Sequence, residues 1–229
     1  MENYKKSALA IFCRAPRLGQ VKTRIAKTYG DGFALELYVA MLRDTFELAR
    51  QLEPDVEVFA CFTPDDSFEE EGENSLFEIW KGRKFPQYEG DLGTKILGSF
   101  STLRAIGFEK VIIIGSDSPD LPLSRLKKAF TELDSHDVVI GEANNGGLYL
   151  LGARKCLPKL IFNRVPLSSE SVYRDVMLNL KMKTNLSVTS LPSWRDVGEA
   201  EDIEQLRYRL FEVGTVAENT KGFLERLVP

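Results

Sequence analysis

The chain of 229 residues is poor in histidine and cysteine, on which many metal sites and disulfide frameworks depend. It has one histidine, His136, and three widely separated cysteines, Cys13, Cys61 and Cys156, in no Cys-x-x-Cys spacing. An odd number of separated thiols does not suit a disulfide framework, so we expect a cytoplasmic protein without a thiolate metal site. The single histidine is the one candidate base for a Ser-His-Asp mechanism, and its polar surroundings, DSHD, favour a surface position instead.

The sequence also lacks an excess of positive charge and any long hydrophobic run. Thirty Lys and Arg residues stand against 34 Asp and Glu residues, for a formal net charge of −4. This balance excludes the class of nucleic-acid-binding proteins that depend on a basic surface. No stretch approaches about 18 consecutive apolar residues, and no signal-peptide pattern is recognisable, so we expect neither a membrane span nor a cleaved leader.

What the sequence does contain is a regular alternation of apolar strands and amphipathic helices. The predicted strands are Ser7–Cys13, Val56–Phe62, a strand beginning at Val111, Asp137–Gly141, Leu148–Gly152 and an edge strand over Ser187–Leu191. The predicted helices are Asp31–Leu52, Asp91–Gly107, Ser124–Leu133, Ser168–Leu180, Glu199–Leu210 and a short one in the tail from Gly214 to Pro229. This alternation predicts a three-layer α/β/α, Rossmann-like domain with a mostly parallel sheet.

A concentration of positive charge follows the first predicted strand. Five basic residues fall within fourteen positions that include no Asp or Glu, and a glycine, Gly19, lets the chain turn among them: Arg14, Arg17, Lys22, Arg24 and Lys27. A solvated basic loop is one interpretation. Phosphate binding is favoured because this loop leaves the carboxyl end of a predicted parallel strand, where α/β sheets bind ligands. GQVKT lacks the earlier glycine of a Walker A motif.

A buried strand that ends in carboxylates is the most informative motif. The stretch VIIIGSDSPDLP brings Ser116, Asp117 and Asp120 to the carboxyl end of a predicted strand. Beside a polyphosphate, Asp117 suits Mg²⁺, which takes one or two carboxylates together with phosphate oxygens. Asp120 lies just before the helix predicted from Ser124 and is better suited to capping, which is also the alternative for Asp117.

Some stretches of the sequence suit either a binding role or a structural one, and others suit only a structural role. Glu142–Gly147, EANNGG, can form a tight hairpin or an open loop with left-handed residues. Within it, residues 144–147 can line an acceptor pocket or simply form a turn, and spacing alone favours the turn. Trp80 and Trp194 can be core residues or can stack on a substrate. The acidic stretch Thr63–Asn74 is interpreted as a surface loop or short helix, and Asp31 as a helix cap.

Four motifs in fixed order resemble a known family: FCRAPRLGQVKTR, GDLGTKI, IIIGSDSPDLP and VVIGEANNGGLYLLG. Over roughly residues 8–210 the chain is similar to bacterial glycosyltransferase-like proteins, some connected with arsenosugar-type biosynthesis. The resemblance implies one short GT-A, or nucleotide-diphospho-sugar transferase, domain over residues 1–229. Its nucleotide-binding half would cover about residues 1–122 and its acceptor-side half about residues 123–229.

The resemblance also implies an activity and its participants. A sugar would pass from a nucleoside diphosphate sugar to a small-molecule acceptor, with Mg²⁺ or Mn²⁺ as cofactor. A nucleotide sugar or nucleotide is thus the expected partner, while nucleic acid is not; the motifs specify neither the acceptor nor the oligomeric state. By matching position, Arg14, Lys22 and Arg24 would hold the diphosphate, with Gly19 and Ser116 beside them.

Asp117 matches the family's metal-binding carboxylate and takes the catalytic role, but the chain departs from the family pattern at two places. Where the family reads Asp-Gly-Gly-Tyr, this sequence has Asn145, Gly146 and Gly147 followed by leucine, so an acceptor-side carboxylate is an amide that cannot act as a base. These three residues are the predicted acceptor-side residues.

The second departure concerns a metal ligand. Where related enzymes read Asp-Val-Asp-Thr, this chain has Asp196, Val197, Gly198 and Glu199, so the second metal carboxylate is missing unless Asp196 or Glu199 supplies it. Asp196 is our candidate for that ligand. Two alternatives therefore stand beside glycosyl transfer: nucleotidyl transfer with release of pyrophosphate, and a nucleotide-binding protein that has lost catalysis.

Overall fold

The computed structural model describes residues 6–64, 75–167 and 169–226. Within them the strands are β1 (Ser7–Cys13), β2 (Val56–Phe62), β3 (Arg83–Pro86), β4 (Lys110–Gly115), β5 (Val138–Ala143), β6 (Leu148–Ala153) and β7 (Val188–Trp194). They form one seven-stranded sheet in the order β3-β2-β1-β4-β6-β5-β7. Only β6 runs antiparallel to its neighbours, β4 and β5. The predicted mostly parallel α/β architecture is therefore confirmed.

Helices cover both faces of this sheet. They are α1 (Thr23–Tyr29), α2 (Asp31–Arg50), α3 (Leu76–Ile79), α4 (Leu92–Ala105), α5 (Leu123–Ser135), α6 (Val172–Lys183), α7 (Glu201–Tyr208) and α8 (Glu218–Glu225), with a 3-10 turn at Lys159–Phe162 and a π-helical turn at Arg209–Val213. No helix in the described ranges has both the length and the apolar character needed to cross a lipid bilayer.

Three apolar clusters hold these layers together. Because successive strand residues point to opposite faces, β1 sends Leu9 and Ile11 towards α2 and α5, and Ala8 and Ala10 towards α4 and α6. A third cluster joins α1, α2, α7 and α8 on the outer side of α2. The carboxy-terminal helices are thus packed against an amino-terminal one.

The sheet brings several chain segments to one edge. β1 and β4 are parallel neighbours in register from Ser7 opposite Lys110 to Phe12 opposite Gly115. β5 and β7 are also parallel to each other, and β6 is antiparallel to both β4 and β5, so β1, β4, β5 and β7 all end at the same edge. The residues that follow these four strands form the site described below.

Several local predictions were wrong in detail. The basic stretch after β1 is not all loop, because α1 begins at Thr23. Strand β3 was not predicted; it is a short, mostly exposed edge strand with few apolar residues. Asp31 does not cap α2, which starts from Gly30 without a side-chain cap. The four residues of β3 are mostly exposed and show no alternation of apolar and polar side chains, so its sequence gives no strand pattern to recognise.

The EANNGG stretch forms the turn of an antiparallel hairpin between β5 and β6, so of its two interpretations the hairpin is confirmed. The helix predicted from Ser168 begins at Val172 and continues to Lys183. Residue 168, the segment 65–74 within the predicted acidic stretch, and residues 227–229 of the predicted tail helix lie outside the described residues.

Candidate functional site

Two adjoining cavities lie at the sheet edge where β1, β4, β5 and β7 end. The first, which we call the basic cavity, has a volume of about 410 Å³ and is lined by Arg14, Lys22, Arg24 and Lys95 among other residues. The second, which we call the large cavity, has a volume of about 760 Å³ and lies towards β6 and the start of α6. Asp117 is in the wall that the two cavities share.

Lys22 connects three segments of the chain in the basic cavity. Its backbone has a φ of 47°, in the left-handed region, at the point where the loop after β1 enters α1. Its side chain is only 6% exposed, and Nζ lies 2.5 Å from Asp117 Oδ1. Nζ also donates to the carbonyl oxygen of Val197 at 2.6 Å. One ammonium group therefore joins the loop after β1, the turn after β4 and the segment after β7.

Arg14 lies at the other side of the basic cavity, and its main chain is fixed by Tyr38 of α2. The Arg14 amide donates to Tyr38 Oη at 2.8 Å, and the Tyr38 hydroxyl donates to the Arg14 carbonyl at 3.1 Å. Burial raises the pKa of Tyr38, so it stays a neutral donor and acceptor. Tyr38 falls within the predicted helix Asp31–Leu52, where a tyrosine on the buried face needs no polar role, so sequence reasoning missed this contact.

The Asp117 side chain is 54% exposed and directed to solvent beside Lys22. Its main-chain carbonyl accepts from the Val197 amide at 2.8 Å, which binds the turn after β4 to the segment after β7. Ser116, the preceding residue, is buried and lines the basic cavity. Asp117 therefore presents a carboxylate to the cavities, and no capping contact of that carboxylate is found in the described residues.

Asp120 does not cap α5, so that prediction was wrong. α5 starts from Pro122 without a side-chain cap. The Asp120 carboxylate is fully buried and accepts from Arg209 Nε at 2.6 Å and Nη2 at 3.1 Å, and from the Thr215 hydroxyl at 3.2 Å. It anchors the π-helical turn near the end of the chain. Its partner is 89 residues away in sequence, so local reasoning could not find it.

Asn145, which lines the large cavity, is hydrogen-bonded to Asp196, which lines neither cavity. Its side-chain amide donates from Nδ2 to Asp196 Oδ2 at 2.9 Å and accepts at Oδ1 from the Gly147 amide at 2.9 Å. The neighbouring Asn144 accepts from the Asp196 amide at 3.0 Å. Burial, followed by the negative charge of Asp117, raises the pKa of the Asp196 carboxyl, and the Asn145 hydrogen bond opposes that rise.

This network gives a physical role to the departure at position 145. A carboxylate in place of the Asn145 amide would face the Asp196 carboxylate at hydrogen-bond distance, and two like charges so close cannot both stay ionised. The amide instead donates a hydrogen bond that favours the charged form of Asp196. An amide at 145 is therefore compatible with a working carboxylate at 196.

Gly198 lies beside Arg24. A Cβ atom at position 198 would lie 2.9 Å from Arg24 Nη2, the end of a flexible and exposed side chain, so a larger residue would require only a shift of the guanidinium. Arg24 Nη1 in turn lies 2.6 Å from Glu199 Oε1. Asp202, which sequence reasoning missed, accepts from the amides of Gly198 and Glu199 at 2.9 and 2.8 Å. Glu199 is thus paired with Arg24, whereas the Asp196 carboxyl is electrostatically coupled to Asp117.

The remaining predicted site residues differ in whether they line a cavity. Asn145 and Gly147 line the large cavity, but Gly146 does not. At Gly146, φ is 77° and a Cβ atom would lie 1.8 Å from the Glu170 carbonyl, so this glycine lets the hairpin pack against the residues before α6. Gly19 turns the chain with a φ of 72°, and like Arg17 it lines neither cavity.

The aromatic and histidine candidates do not reach the site. Trp80 is buried and stacks on Phe46 with ring centroids 4.7 Å apart, so it is a core residue. Arg125 lies over the Trp194 ring, which lines neither cavity. His136 precedes β5, at the opposite edge of the sheet, and lies 3.1 Å from Glu132. Lys27, on α1, also lines neither cavity.

With this geometry described, comparison with known proteins identifies the family. The model of the family DUF2064, described as an uncharacterized protein conserved in bacteria, matches residues 45–169, more than half of the sequence. The chain belongs to the DUF2064 family. A search of curated proteins finds no match. The matched residues include Asp117 and Asn145, whereas the basic residues after β1 and the Asp196 segment lie outside them.

Solved structures extend the likeness over nearly the whole DUF2064 chain. A protein from Desulfovibrio desulfuricans G20, whose assignment as a nucleotide-diphospho-sugar transferase is itself provisional, is 26% identical with a TM-score of 0.85 and covers 97% of this chain and 95% of its own. 4-Diphosphocytidyl-2C-methyl-D-erythritol synthase from Anaerococcus prevotii DSM 20548 is 14% identical with a TM-score of 0.57, covering 90% and 99%.

A CMP:2-keto-3-deoxy-manno-octonic acid synthetase, solved with CTP, is 11% identical with a TM-score of 0.54 and covers 89% and 98%. At these low identities the two synthetases show a shared fold. The predicted resemblance to the GT-A-like family is therefore confirmed, and the fold is that of the nucleotide-diphospho-sugar transferases.

Proposed function

We propose that this protein is a nucleotide-sugar-dependent glycosyltransferase that transfers a sugar at the wall shared by its two cavities. The observation that carries the proposal is the position of Asp117, between a cavity rich in cations and a larger one. The likeness to the Desulfovibrio protein supports a transferase related to nucleotide sugars. Transfer of the sugar, and not of another group, is what this proposal adds to that support.

The basic cavity is the proposed site of the nucleoside diphosphate. Arg14, Lys22, Arg24 and Lys95 bring four cations to one small space, while Asp117 is the one acidic residue of its lining in the described part of the chain. Charge-assisted hydrogen bonds from such groups to phosphate oxygens are short and strong. During transfer they stabilise the negative charge that develops on the leaving diphosphate.

Asp117 and Asp196 are the proposed ligands of Mg²⁺ or Mn²⁺. No group of three or more His, Cys, Asp or Glu side chains suited to a metal is found in the described residues. Two coupled carboxylates suffice for Mg²⁺ when phosphate oxygens and water complete its coordination, and the electrostatic coupling of Asp196 to Asp117 fits this. A bound ion would supply further neutralisation of the leaving diphosphate.

The proposed reaction is a displacement at the anomeric carbon of the sugar. The bond from that carbon to the diphosphate oxygen breaks, and the nucleoside diphosphate leaves with the electron pair. A hydroxyl oxygen of the acceptor forms the new bond, and its proton passes to water or to a carboxylate at the cavity edge. The residues of the chain hold the two substrates on either side of Asp117, which removes the entropic cost of bringing them together.

Nucleotide binding tests this proposal directly. UDP, GDP and CDP are titrated calorimetrically into the protein with and without MgCl₂, and at least one is expected to bind more tightly with the metal. In the Asp117→Ala variant the metal dependence is expected to disappear. Asp55→Ala is the matched control, because Asp55 is an exposed aspartate just before β2, at the opposite edge of the sheet. Absence of metal-dependent binding in the wild type contradicts the proposal.

Nucleotidyl transfer is the second candidate, because four cations in one cavity also suit a nucleoside triphosphate. The fold shared with cytidylyl-transferring synthetases agrees with it. Release of pyrophosphate from a nucleoside triphosphate supports this reaction, whereas release of a nucleoside diphosphate from a nucleotide sugar supports glycosyl transfer. Turnover in either assay excludes the remaining alternative, a nucleotide-binding protein that has lost catalysis.

A further inference from the structure

The two cavities differ sharply in charge. Four Lys or Arg side chains line the basic cavity. The large cavity is lined by one, Arg24, which it shares with the basic cavity, and by four carboxylates: Asp117, Glu170, Glu199 and Asp202. The basic cavity therefore suits an anionic ligand, whereas the large cavity disfavours one.

The single cation of the large cavity is paired with one of the four carboxylates, and a second carboxylate, Asp117, is paired with Lys22 of the basic cavity, so the excess negative charge of the lining comes from Glu170 and Asp202. Arg24 Nη1 lies 2.6 Å from Glu199 Oε1 and belongs to the boundary with the basic cavity. Glu170 is exposed and makes no hydrogen bond or ion pair with another described residue.

The large cavity also has many apolar side chains in its lining. Its lining includes aliphatic and aromatic side chains from β1, β4, β6, α4, the 3-10 turn and α6: Phe12, Leu92, Ile96, Ile113, Leu148 and Phe162 are among them. An apolar lining favours a ligand that brings apolar surface of its own, at about 25 cal/mol for each Å² removed from water. Burying an unpaired negative charge against such a lining is strongly unfavourable.

Neutral hydrogen-bonding groups are available at the cavity edge. Asn144 uses its side-chain oxygen for the Asp196 amide, and its Nδ2 has no partner among the described residues. The Asn145 amide donates one hydrogen bond to Asp196 and accepts one from Gly147. A hydroxyl group of a ligand can therefore be held by an amide and by carboxylates, without any cation.

We propose that the acceptor of this enzyme is an uncharged or positively charged hydroxyl compound with an apolar portion, and not a phosphorylated or otherwise anionic molecule. This proposal rests on the proposed function, because only a transferase has an acceptor. It adds the chemical class of the ligand that occupies the large cavity. It also separates the two candidate reactions: a nucleotidyltransferase that uses a phosphorylated acceptor needs cations where this cavity has carboxylates.

Three probes of equal chain length test the charge rule without requiring catalysis: hexyl glucoside, hexylamine and hexyl phosphate. Binding of each to the full chain is measured by saturation-transfer NMR and calorimetry, with the basic cavity occupied by UDP and MgCl₂. Hexyl glucoside and hexylamine are expected to bind at least roughly tenfold more tightly than hexyl phosphate, because like charges placed together are unfavourable. Equal affinities, tighter binding of the phosphate, or no binding of any probe would overturn the proposal.

Two variants show whether the preference arises in the large cavity. Glu170→Lys reverses one exposed charge in its lining and is expected to reduce the discrimination against hexyl phosphate several-fold. Glu212→Lys makes the same change on the π-helical turn, outside both cavities, and is expected to leave it unchanged. An equal effect of both variants would mean that net charge, and not this cavity, sets the preference, and would overturn the assignment.

The outcomes for the two proposals are separable. If the probes follow the expected order but no sugar transfer to any hydroxyl acceptor is found, the acceptor-site chemistry stands and the glycosyltransferase proposal fails. If the enzyme transfers a sugar or a nucleotide efficiently to a phosphorylated acceptor, the acceptor proposal fails while an enzymatic function stands.

Discussion

Asn145 is the residue at which the sequence pattern and the structure lead to different expectations. The family pattern suggests a lost carboxylate, whereas the hydrogen bond from Nδ2 to Asp196 Oδ2 indicates a positioning amide. Asn145→Asp is therefore expected to weaken metal-dependent UDP binding roughly tenfold, because it replaces a donor with a like charge.

Calorimetry with and without MgCl₂ measures this change. Asn163→Asp serves as the matched control, since Asn163 is exposed and lines neither cavity. If Asn145→Asp instead gains turnover over the wild type, Asn145 is a degenerate catalytic position and the positioning role is wrong.

The three cysteines are expected to differ in reactivity. Burial raises the pKa of Cys61 to about 12, while the hydrogen bond with Ser99 and the charge of Lys95 oppose the rise. Cys13 is also buried, and Cys156 is exposed. Because the thiolate is the reactive form, the native protein is expected to show one fast thiol with a disulfide reagent and three when unfolded. The Cys156→Ser variant should show no fast thiol; rapid labelling of it would contradict the structure.

At the scale of elements, replacing Asp120 is expected to affect mainly stability and replacing Asp117 mainly ligand binding, although the two residues are only three positions apart in the sequence. Asp120→Ala leaves the largely buried Arg209 without its carboxylate, and removing one partner of a buried ion pair costs about 3–5 kcal/mol. Urea unfolding measures the loss. Asp117→Ala removes a half-exposed group and leaves the buried Lys22 ammonium with the Val197 carbonyl as a remaining partner, so we expect lower metal-dependent binding and a smaller loss of stability than for Asp120→Ala. Similar unfolding curves for both variants would contradict this division.

A carboxylate connects the start of β5 to residues beside β7 and β6. Through this group the stability of the folded protein depends on pH. Asp137 accepts from the Ser187 amide at 3.1 Å and from Arg154 Nε at 3.1 Å, and Lys155 Nζ lies at 3.1 Å. Burial alone would raise the pKa of Asp137, but these hydrogen bonds outweigh it and hold the pKa below its usual range.

A lowered folded-state pKa gives stability that is complete above the unfolded pKa of about 3.9 and is lost as the pH falls towards the folded value. The difference in Tm between the wild type and Asp137→Asn is therefore expected to be largest near pH 7 and to shrink below about pH 4. Thermal unfolding followed from pH 7 to pH 3 measures it. A difference that grows on acidification would show that the linkage has the opposite sign.

For the whole molecule, the sequence predicts the strands and the long helices because their hydrophobic periods extend over enough residues. β1 and β2 have the predicted limits, and the edge to which Asp117 is delivered follows from the parallel arrangement. The contacts between distant segments do not follow from any local pattern. Lys22 with Val197 and Asp120 with Arg209 depend on how the carboxy-terminal helices pack, which a periodicity does not encode.

The reach of Lys22 has a consequence for the order of events in synthesis. Its contact with Val197 spans 175 residues, and Asp44 of α2 accepts from the amides of Asn219 and Thr220 at the start of α8. A chain emerging from the ribosome can form β1, α2 and β2 early, whereas Lys22 and Asp117 meet Val197 only after the segment that follows β7 has been made. The proposed nucleotide site therefore acquires this junction late in synthesis, after all the strands of the sheet.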